Sequence, residues 1–534
     1  MAEAGRTGIL VVGAGPVGLT VALELARRGV PIRLIDAAGG PATTSRALAT
    51  HARTLEVYDQ LGVLDAILAR GQKVEHFTLH QGGRRLIRFD TDYSALPTRY
   101  PFTMMVDQTS TEEVLRNAVA QHGIHVEWGV GLEGFTQDGE GVTATLVSAD
   151  GTRELVAADW LVGCDGAHST IRKQLGVPLI GDSSQTWLIA DAVVRTTLPR
   201  DSIHWLNTGH GTIMLIPFPA PGKWRLLDTV DVQRDADPDA VGARFAAKIS
   251  AAVGEQVTVE TPSWTSVFTI QQRMVESLWH GRCLLAGDAG HVHSPASGQG
   301  MNTGIQDAVN LGWKLAMVYF DQASDDLLHS YNSERVPVGR KLLDSTRTAT
   351  SLVALRNSLM TAFMPAGLAL LRAVPPVKRR IERRIMAGMS ALDLTYTGSA
   401  LTRPNPQVTV VRPGARLSRV DTAGATSAGW QEILRELRDP RWLLLLGSND
   451  AKLHAVCPKA GWLGVRTVGG DLPDQDGRLR EDLRIGPGDW LLVRPDGYVA
   501  GRGQGAHSLR AELSGLALTA EPHQKNVVTR EELA

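Results

Sequence analysis

Gly13-Ala14-Gly15-Pro16-Val17-Gly18 is a G-x-G-x-x-G run, and its surroundings decide whether it does chemistry. It follows the apolar segment Gly8–Val12 and opens a helical segment, Leu19–Arg28. A second apolar segment, Val30–Leu34, comes next and is closed by Asp36. Strand, glycine turn, helix, strand and terminal acid is the order a dinucleotide needs. Gly13 permits the tight turn, Gly15 lets the backbone approach a pyrophosphate, and Gly18 lets the helix lie against the strand, with Pro16 in the same turn. Asp36 would take ribose hydroxyls. Gly129–Gly134 has the same spacing but leads into polar, glycine-rich sequence with no helix, and is a chance match.

Gly281–Ala316 carries the second set of chemistry-bearing residues. Cys283–Ala286 reads as a buried strand, Gly287-Asp288 as a break, and Ser294–Gly304 as a loop of small residues ahead of a long helix. Met301 is the one bulky apolar residue in that loop. Such a loop presses backbone amides against a flat or anionic group at a helix start, where the dipole favours negative charge. The group expected there is a flavin. His291-x-His293 lacks a third ligand at a usual spacing, so no metal is expected. Further back, Trp160–Cys164 reads as a strand running into Asp165-Gly166 and then a helix with Ile171-Arg172-Lys173. Asp165 either binds ribose or a phosphate-bound water, or caps the helix; the residues alone leave both open.

Between these sites lie the elements that must position them. Arg46 precedes a helical segment and could clamp a phosphate or lie along a ring face, whereas Arg53 and Glu56 are taken for a surface ion pair. Gln108 stands before a helix placed at Thr111–His122, with Ser110 and Glu113 at capping-box spacing. Leu179–Thr265 is a block of alternating strand-like runs holding Trp187, Trp205, Trp224 and Trp264, an antiparallel sheet in which Trp205 and Trp224 are candidate substrate contacts. Helices are expected over Leu327–Arg335, Val338–Arg356 and Lys378–Leu392, the basic run in the last forming a solvated face. Thr402–Pro406 marks a boundary before a smaller α/β unit.

The totals exclude several classes. At 534 residues the chain exceeds one core and fits roughly three domains. Lys and Arg number 55 against 56 Asp and Glu, a net charge of −1, so no footprint for nucleic acid or an anionic membrane appears. Cys164, Cys283 and Cys457 form no C-x-x-C pair, which suits a reducing cytosol. The start shows no signal-peptide pattern, and Leu359–Leu371 is too short to span a bilayer. A soluble, cytoplasmic protein is expected.

The ordered set of Gly13–Gly18 with Asp36, Asp165-Gly166, and Gly287-Asp288 ahead of Pro295 and Gly298–Gly304 resembles the single-component flavoprotein aromatic hydroxylases of the para-hydroxybenzoate hydroxylase type. Within them, the chain is most similar to the phenol-, pentachlorophenol- and polyketide-hydroxylating branch with an extra C-terminal domain. The resemblance covers nearly the whole chain. It implies an α/β fold with a Rossmann-like FAD-binding domain of glutathione-reductase type (residues 1–178 and 275–400). It further implies an inserted antiparallel-sheet substrate domain (179–274 with about 74–102) and a C-terminal thioredoxin-like domain (403–534) that is redox-inert for want of C-x-x-C. It also implies that Gly13, Gly15, Gly18 and Asp36 hold the adenosine end of FAD, with Asp36 shorter than the usual Glu. Arg46 and Gln108 would touch the pyrophosphate and ribityl region, Asp165 both FAD and NAD(P)H, and Asp288 the ribityl chain. Gly287, Gly300 and the amides of Met301 and Asn302 would face the flavin. Pro295, beside the ring where oxygen reacts, and Arg46 would be catalytic.

The implied reaction reduces FAD with NADPH or NADH as a transient co-substrate, forms a flavin C(4a)-hydroperoxide with O2, and hydroxylates a phenolic or polycyclic aromatic substrate, a polyketide among the options. Baeyer–Villiger oxygenation by the same intermediate and a flavin-binding protein without turnover are the alternatives. A substrate base is not identified among His51, His204, His210 and His293, and a homodimer stays open.

Overall fold

The computed structural model describes residues 5–208, 211–230, 232, 237–293, 298–354, 367–405, 407–516 and 518. Pro295 and His210 lie outside the described residues. Among the described residues the strands form four sheets.

The largely parallel sheet is built where the sequence has its unbroken apolar runs. Gly5–Val12, Ile32–Asp36, Arg153–Gly163 and Cys283–Leu285 pair in parallel in the order 283–285, 153–163, 5–12, 32–36. Ile9, Leu10, Leu34, Leu161 and Cys283–Leu285 are fully buried, as expected of strands covered on both faces. Pro16–Ala26 and Gly300–Tyr319 pack together over this sheet. An antiparallel hairpin, Val130–Gln137 with Val142–Ser148, extends from Arg153–Gly163, so the second G-x-G-x-x-G match lies at a strand.

A nine-stranded sheet, mostly antiparallel, is laid against this unit. Its inner strands are Ile180–Arg195, Ser202–Asn207, Thr212–Pro217, Lys223–Asp228 and Trp264–Met274, and the hairpin His76–Gln81 with Arg84–Asp90 adds to one edge. At the other edge His291–Val292 pairs with Trp264–Met274. The stretch from Gly281 to Ala316 thus starts in one sheet, touches the second, and turns into a helix. It is the seam between them.

Four local expectations differ from what is found. The middle block contains a helix, Pro238–Val253, with proline in its first turn and Gly254 left-handed at its end; its face of Val241, Phe245, Ile249 and Ala252 covers the sheet. The helix after Gln108 spans Gln108–Ala120 with Asp107 at its N-cap, which puts Ser110 inside the first turn and removes the capping box. Asp326–Ala354 is one helix with Pro337 inside it. Buried ion pairs from Glu334 and Arg335 hold the flanking turns, so tertiary contacts outweigh the lost amide. Arg53 and Glu56 are buried at 1% and 2% side-chain exposure. The hairpin from the C-terminal sheet covers them, with Arg53 donating to the Asp496 carbonyl and Arg416 to Glu56.

The C-terminal sheet has the order 463–467, 442–446, 489–493, 499–504, with the first pair parallel and the rest antiparallel. Arg494 pairs with Glu334 at 2.6 Å, and Glu334 also takes Lys314 at 2.8 Å. These charges leave water together, so each one removed singly would strand a partner.

Candidate active site

The dinucleotide turn is legible atom by atom. Gly13 has φ +102°, and a Cβ there would sit 2.3 Å from the Cys164 carbonyl oxygen. A Cβ on Gly18 would come within 1.8 Å of the Gly13 oxygen, so the helix seats on the strand through hydrogen alone. Gly15 differs from both, because nothing lies within 4 Å of where its Cβ would be. The space beside it is open for a ligand to meet the backbone. Asp36 accepts from the amides of Ala14 at 2.7 Å and Ala38 at 2.8 Å, closing the turn while leaving lone pairs for further donors. Pro16 stands at the helix start, where a missing amide costs nothing.

Three more predicted residues sit at neighbouring strand ends. Asp165 follows Arg153–Gly163 and accepts from the amides of Thr170 at 2.7 Å and Ile171 at 3.3 Å, so it does cap the short helix. Its other oxygen, Oδ1, is buried without a partner, an acceptor waiting for a donor. Gly287 follows Cys283–Leu285 with φ +60°, and its Cβ would strike Val17 at 2.8 Å. Asp288 beside it opens to the cleft; desolvation by the surrounding protein raises its pKa, while the charges of His291 and Arg46 oppose the rise. Gly13, Asp36, Asp165 and Gly287-Asp288 therefore lie at the C-terminal ends of four adjacent parallel strands, where open α/β sheets take their ligands.

The glycine loop is pinned from below. Asn302, buried at 3% exposure, accepts from the His51 amide at 2.9 Å and donates to the carbonyls of Ala49 and Gly298 at 2.8 Å each. Its side chain is spent on the loop, which leaves its backbone to the cleft. Gly300 and Met301 begin the 20-residue helix Gly300–Tyr319. Gln108 is similarly occupied, accepting from the Ala47 amide at 2.9 Å and donating to Glu112 at 2.8 Å, so it braces the Arg46 loop. Arg46 itself is exposed.

Sequence reading missed the charges beneath this loop. Asp307 accepts from Arg335 at 2.6 Å, meets His291 at 2.5 Å, and takes the Gly287 amide at 3.2 Å. Desolvation disfavours its charge, yet Arg335 and His291 outweigh that and hold its pKa at about 2. The available signal was an Asp on the long helical run Gly300–Tyr319, flanked at helical spacing by Gly304 and Leu311, where a carboxylate turned inward needs a buried partner.

These residues fit FAD, and sequence comparison agrees. Residues 6–346 match the FAD binding domain family model, and residues 411–519 match the aromatic-ring hydroxylase C-terminal model. The chain belongs to the class A flavoprotein aromatic hydroxylases. It is 51% identical to a 6-methylpretetramide 4-monooxygenase of Streptomyces rimosus over 97% of this chain and 95% of that one. It is 34% identical to a 12-dehydrotetracycline 5-monooxygenase/anhydrotetracycline 6-monooxygenase of Streptomyces rimosus, covering 92% and 95%. Among solved structures, the anhydrotetracycline hydroxylase OxyS of Streptomyces rimosus superposes with a TM-score of 0.73 at 29% identity, over 97% and 100% of the two chains.

In this hydroxylase the period-two alternation of the nine-stranded sheet sorts the candidate tryptophans. Trp224 is 1% exposed and packs with Phe245 and Ile249 under the helix Pro238–Val253. That is core, and it corrects the expectation of a substrate contact: the helix, unforeseen in the sequence, occupies its face. Trp205 points to the other face, towards Leu48, Met105 and Met214 at the seam. Arg225 shares that face and reaches across to the Ser45 and Arg46 carbonyls. Of the histidines, His204 is bonded at both ring nitrogens, to His80 at 3.2 Å and the Pro199 carbonyl at 2.8 Å, and burial lowers its pKa to about 4. Among the described residues no group of three or more His, Cys, Asp or Glu could hold a metal, and no helix is long and apolar enough to cross a membrane.

Proposed function

We propose that this FAD-dependent hydroxylase oxygenates a phenolic polycyclic aromatic of the polyketide class, with NAD(P)H as reductant and O2 as oxidant. The observation that carries the reading is the set of ligand-ready groups at three adjacent strand ends: the open space at Gly15, the unpartnered Asp165 Oδ1, and the exposed Asp288. Bound FAD supplies the oxygen-activating chemistry. Gly13, Gly15, Pro16, Gly18 and Asp36 take its adenosine diphosphate end, and Arg46, Gln108, Asp165, Gly287 and Asp288 its middle. The amides of Gly300, Met301 and Asn302 meet its ring, where the start of a long helix favours negative charge. Pro295 is assigned a place beside the ring from the resemblance alone.

The chain's own tasks are to orient these groups and keep water away from them. The aromatic substrate would lie between the Trp205 face of the nine-stranded sheet and the glycine loop. Similarity to enzymes named for tetracycline-type substrates supports a polycyclic one. NAD(P)H would bind transiently near Asp165, since no second nucleotide turn is present in the sequence. We assign 1–178 and 275–400 to the FAD-binding portion, 179–274 with about 74–102 to the substrate portion, 403–534 to the C-terminal domain, and the cytoplasm as the compartment.

The test is NAD(P)H oxidation by the purified yellow protein with and without 6-methylpretetramide and simpler polycyclic phenols. Aromatic-stimulated oxidation with an oxygenated product is expected. A yellow protein with no stimulation across that panel would reject the substrate class, and a colourless one would reject the site.

A further inference from the structure

Behind the turn Gly298–Met301 lies a chain of ionisable side chains that the oxygenation reading leaves without a task. Arg335 Nε donates to Asp307 Oδ1 at 2.6 Å, Asp307 Oδ2 meets His291 Nε2 at 2.5 Å, and His291 Nδ1 meets His293 Nε2 at 3.2 Å. The two imidazoles stack, with centroids 4.8 Å apart and planes 18° off parallel. The chain ends at His293 Nδ1, which is buried and has no hydrogen-bond partner among the described residues. The same ring abuts the glycine turn, since a Cβ on Gly300 would lie 3.4 Å from its Cδ2.

The Asp307 carboxylate can only accept, so His291 Nε2 carries a hydrogen. With His291 neutral, its Nδ1 accepts from His293 Nε2–H and leaves His293 Nδ1 as a bare lone pair. One proton more reverses the direction. His291 becomes an imidazolium, donates from Nδ1 to His293 Nε2, and His293 Nδ1 now carries a hydrogen. The two arrangements keep every heavy atom in place and differ by one proton.

We propose that His293, His291 and Asp307 form a proton relay whose open end is His293 Nδ1, exchanging a weakly acidic O–H or N–H proton with a group bound over the glycine turn. This rests on the reading of that turn as the flavin and aromatic site. In the step, the donor's X–H bond breaks and its proton joins His293 Nδ1. The His293 Nε2–H bond breaks as His291 Nδ1–H forms, and the electron pair stays on X. No atom changes oxidation state.

The surroundings favour this direction. Burial and the neighbouring His291 hold His293 neutral, with its pKa lowered to about 3. A proton passed on to His291 sits beside the Asp307 carboxylate, 2.5 Å from His291 Nε2. The other groups coupled to the chain are Asp288 on the preceding turn, Arg46 acting on Asp288, Cys164 and Tyr331 acting on Asp307, and Tyr396 on Arg335. Burial pushes the Cys164 thiol and both tyrosine hydroxyls upward, so they stay neutral and do not compete. A purely structural pair would need no unsatisfied end.

The experiment compares the full-length FAD-loaded protein with His293→Gln, whose amide still donates to His291 but cannot carry a proton; His293→Asn stands in if that variant does not fold. One arm follows the ionisation of bound 2-naphthol by absorbance. The other counts protons taken up during photoreduction of the bound flavin without any aromatic. FAD should bind the variant within about threefold of wild type, and the naphthol ionisation constant should be about tenfold larger in the wild type. If naphthol ionises equally or does not bind, but the wild type takes up more protons on reduction, the flavin is the partner and the relay stands. No difference in either arm with FAD bound overturns the relay, as does failure of both variants to fold. A wild type that takes up no FAD sinks the site reading itself, a result separate from either.

Discussion

Arg225 donates to the carbonyl oxygen of Arg46 at 2.8 Å, tying the nine-stranded sheet to the loop that carries the cleft's exposed cation. Its guanidinium also takes the Ser45 carbonyl at 2.5 Å and both oxygens of Asp191 at 2.8 Å. Four hydrogen bonds from one planar group fix the loop's height over the glycine turn, a task an ammonium cannot repeat. Arg225→Lys keeps the charge, so Asp191 is not left alone, but loses the fork. Expected is a loss of about 1–3 kcal/mol in stability and about tenfold in FAD affinity, read by denaturant unfolding and by flavin fluorescence. Unchanged FAD affinity in a destabilised variant would mean that Arg225 serves the fold alone.

Gly15 and Gly18 separate binding from folding. Gly15 has φ −71°, which any residue adopts, and open space where a Cβ would go. Gly15→Ala should therefore leave stability of the FAD-free protein within about 0.5 kcal/mol while weakening FAD by about tenfold or more. Gly18→Ala should do the reverse first, since its Cβ would meet the Gly13 oxygen at 1.8 Å and cost about 1–3 kcal/mol in the FAD-free protein. Normal FAD binding by Gly15→Ala would move the pyrophosphate away from this turn.

The contrast between these glycines also shows where sequence reading reaches its end. Gly13, Gly15, Gly18 and Asp36 were legible because strand, turn and helix are local, and spacing dictates geometry. The seam at Gly281–Ala316 was legible for the same reason. Trp224, Arg53 and Asp307 were not, because their environments come from distant chain: the helix Pro238–Val253, the hairpin at Asp496, and Arg335 on the next long helix. The helix Pro238–Val253 announced itself through Asp237-Pro238, the spacing of Val241, Phe245 and Ile249, and Gly254, but it stands among strand-like runs on both sides.

Asp307 should make stability fall in acid. Its folded pKa of about 2 lies below its ordinary value of 3.8, so the stabilisation is fully present above about pH 4 and is lost as pH falls towards 2. The shift corresponds to about 2 kcal/mol, in a site where other buried carboxylates add their own acid dependence. Asp307→Asn should be destabilised near neutral pH by about 3–5 kcal/mol, because Arg335 loses its charge partner. The gap between the two proteins should narrow as pH drops from about 4 to about 2, followed by urea unfolding at each pH. A gap that stays constant would mean that Asp307 is not charged in the folded protein.

Trp205 and Trp224 give the most direct test of which sheet face meets the substrate. Trp224 lies in the packed layer under Pro238–Val253, so Trp224→Leu should cost about 2–4 kcal/mol and leave the aromatic's KM within about twofold in whatever fraction stays folded. Trp205 stands on the seam face, partly exposed, with its indole nitrogen buried and unpartnered. Trp205→Phe removes that N–H while keeping an aromatic surface. It should change stability by less than about 1 kcal/mol and raise the KM for a polycyclic phenol by about tenfold, with more of the NAD(P)H oxidised without oxygenating the aromatic. Steady-state kinetics with product counted against NAD(P)H consumed reads both effects. If Trp224→Leu moves KM and Trp205→Phe does not, the substrate lies on the helix-covered face and the seam has another occupant.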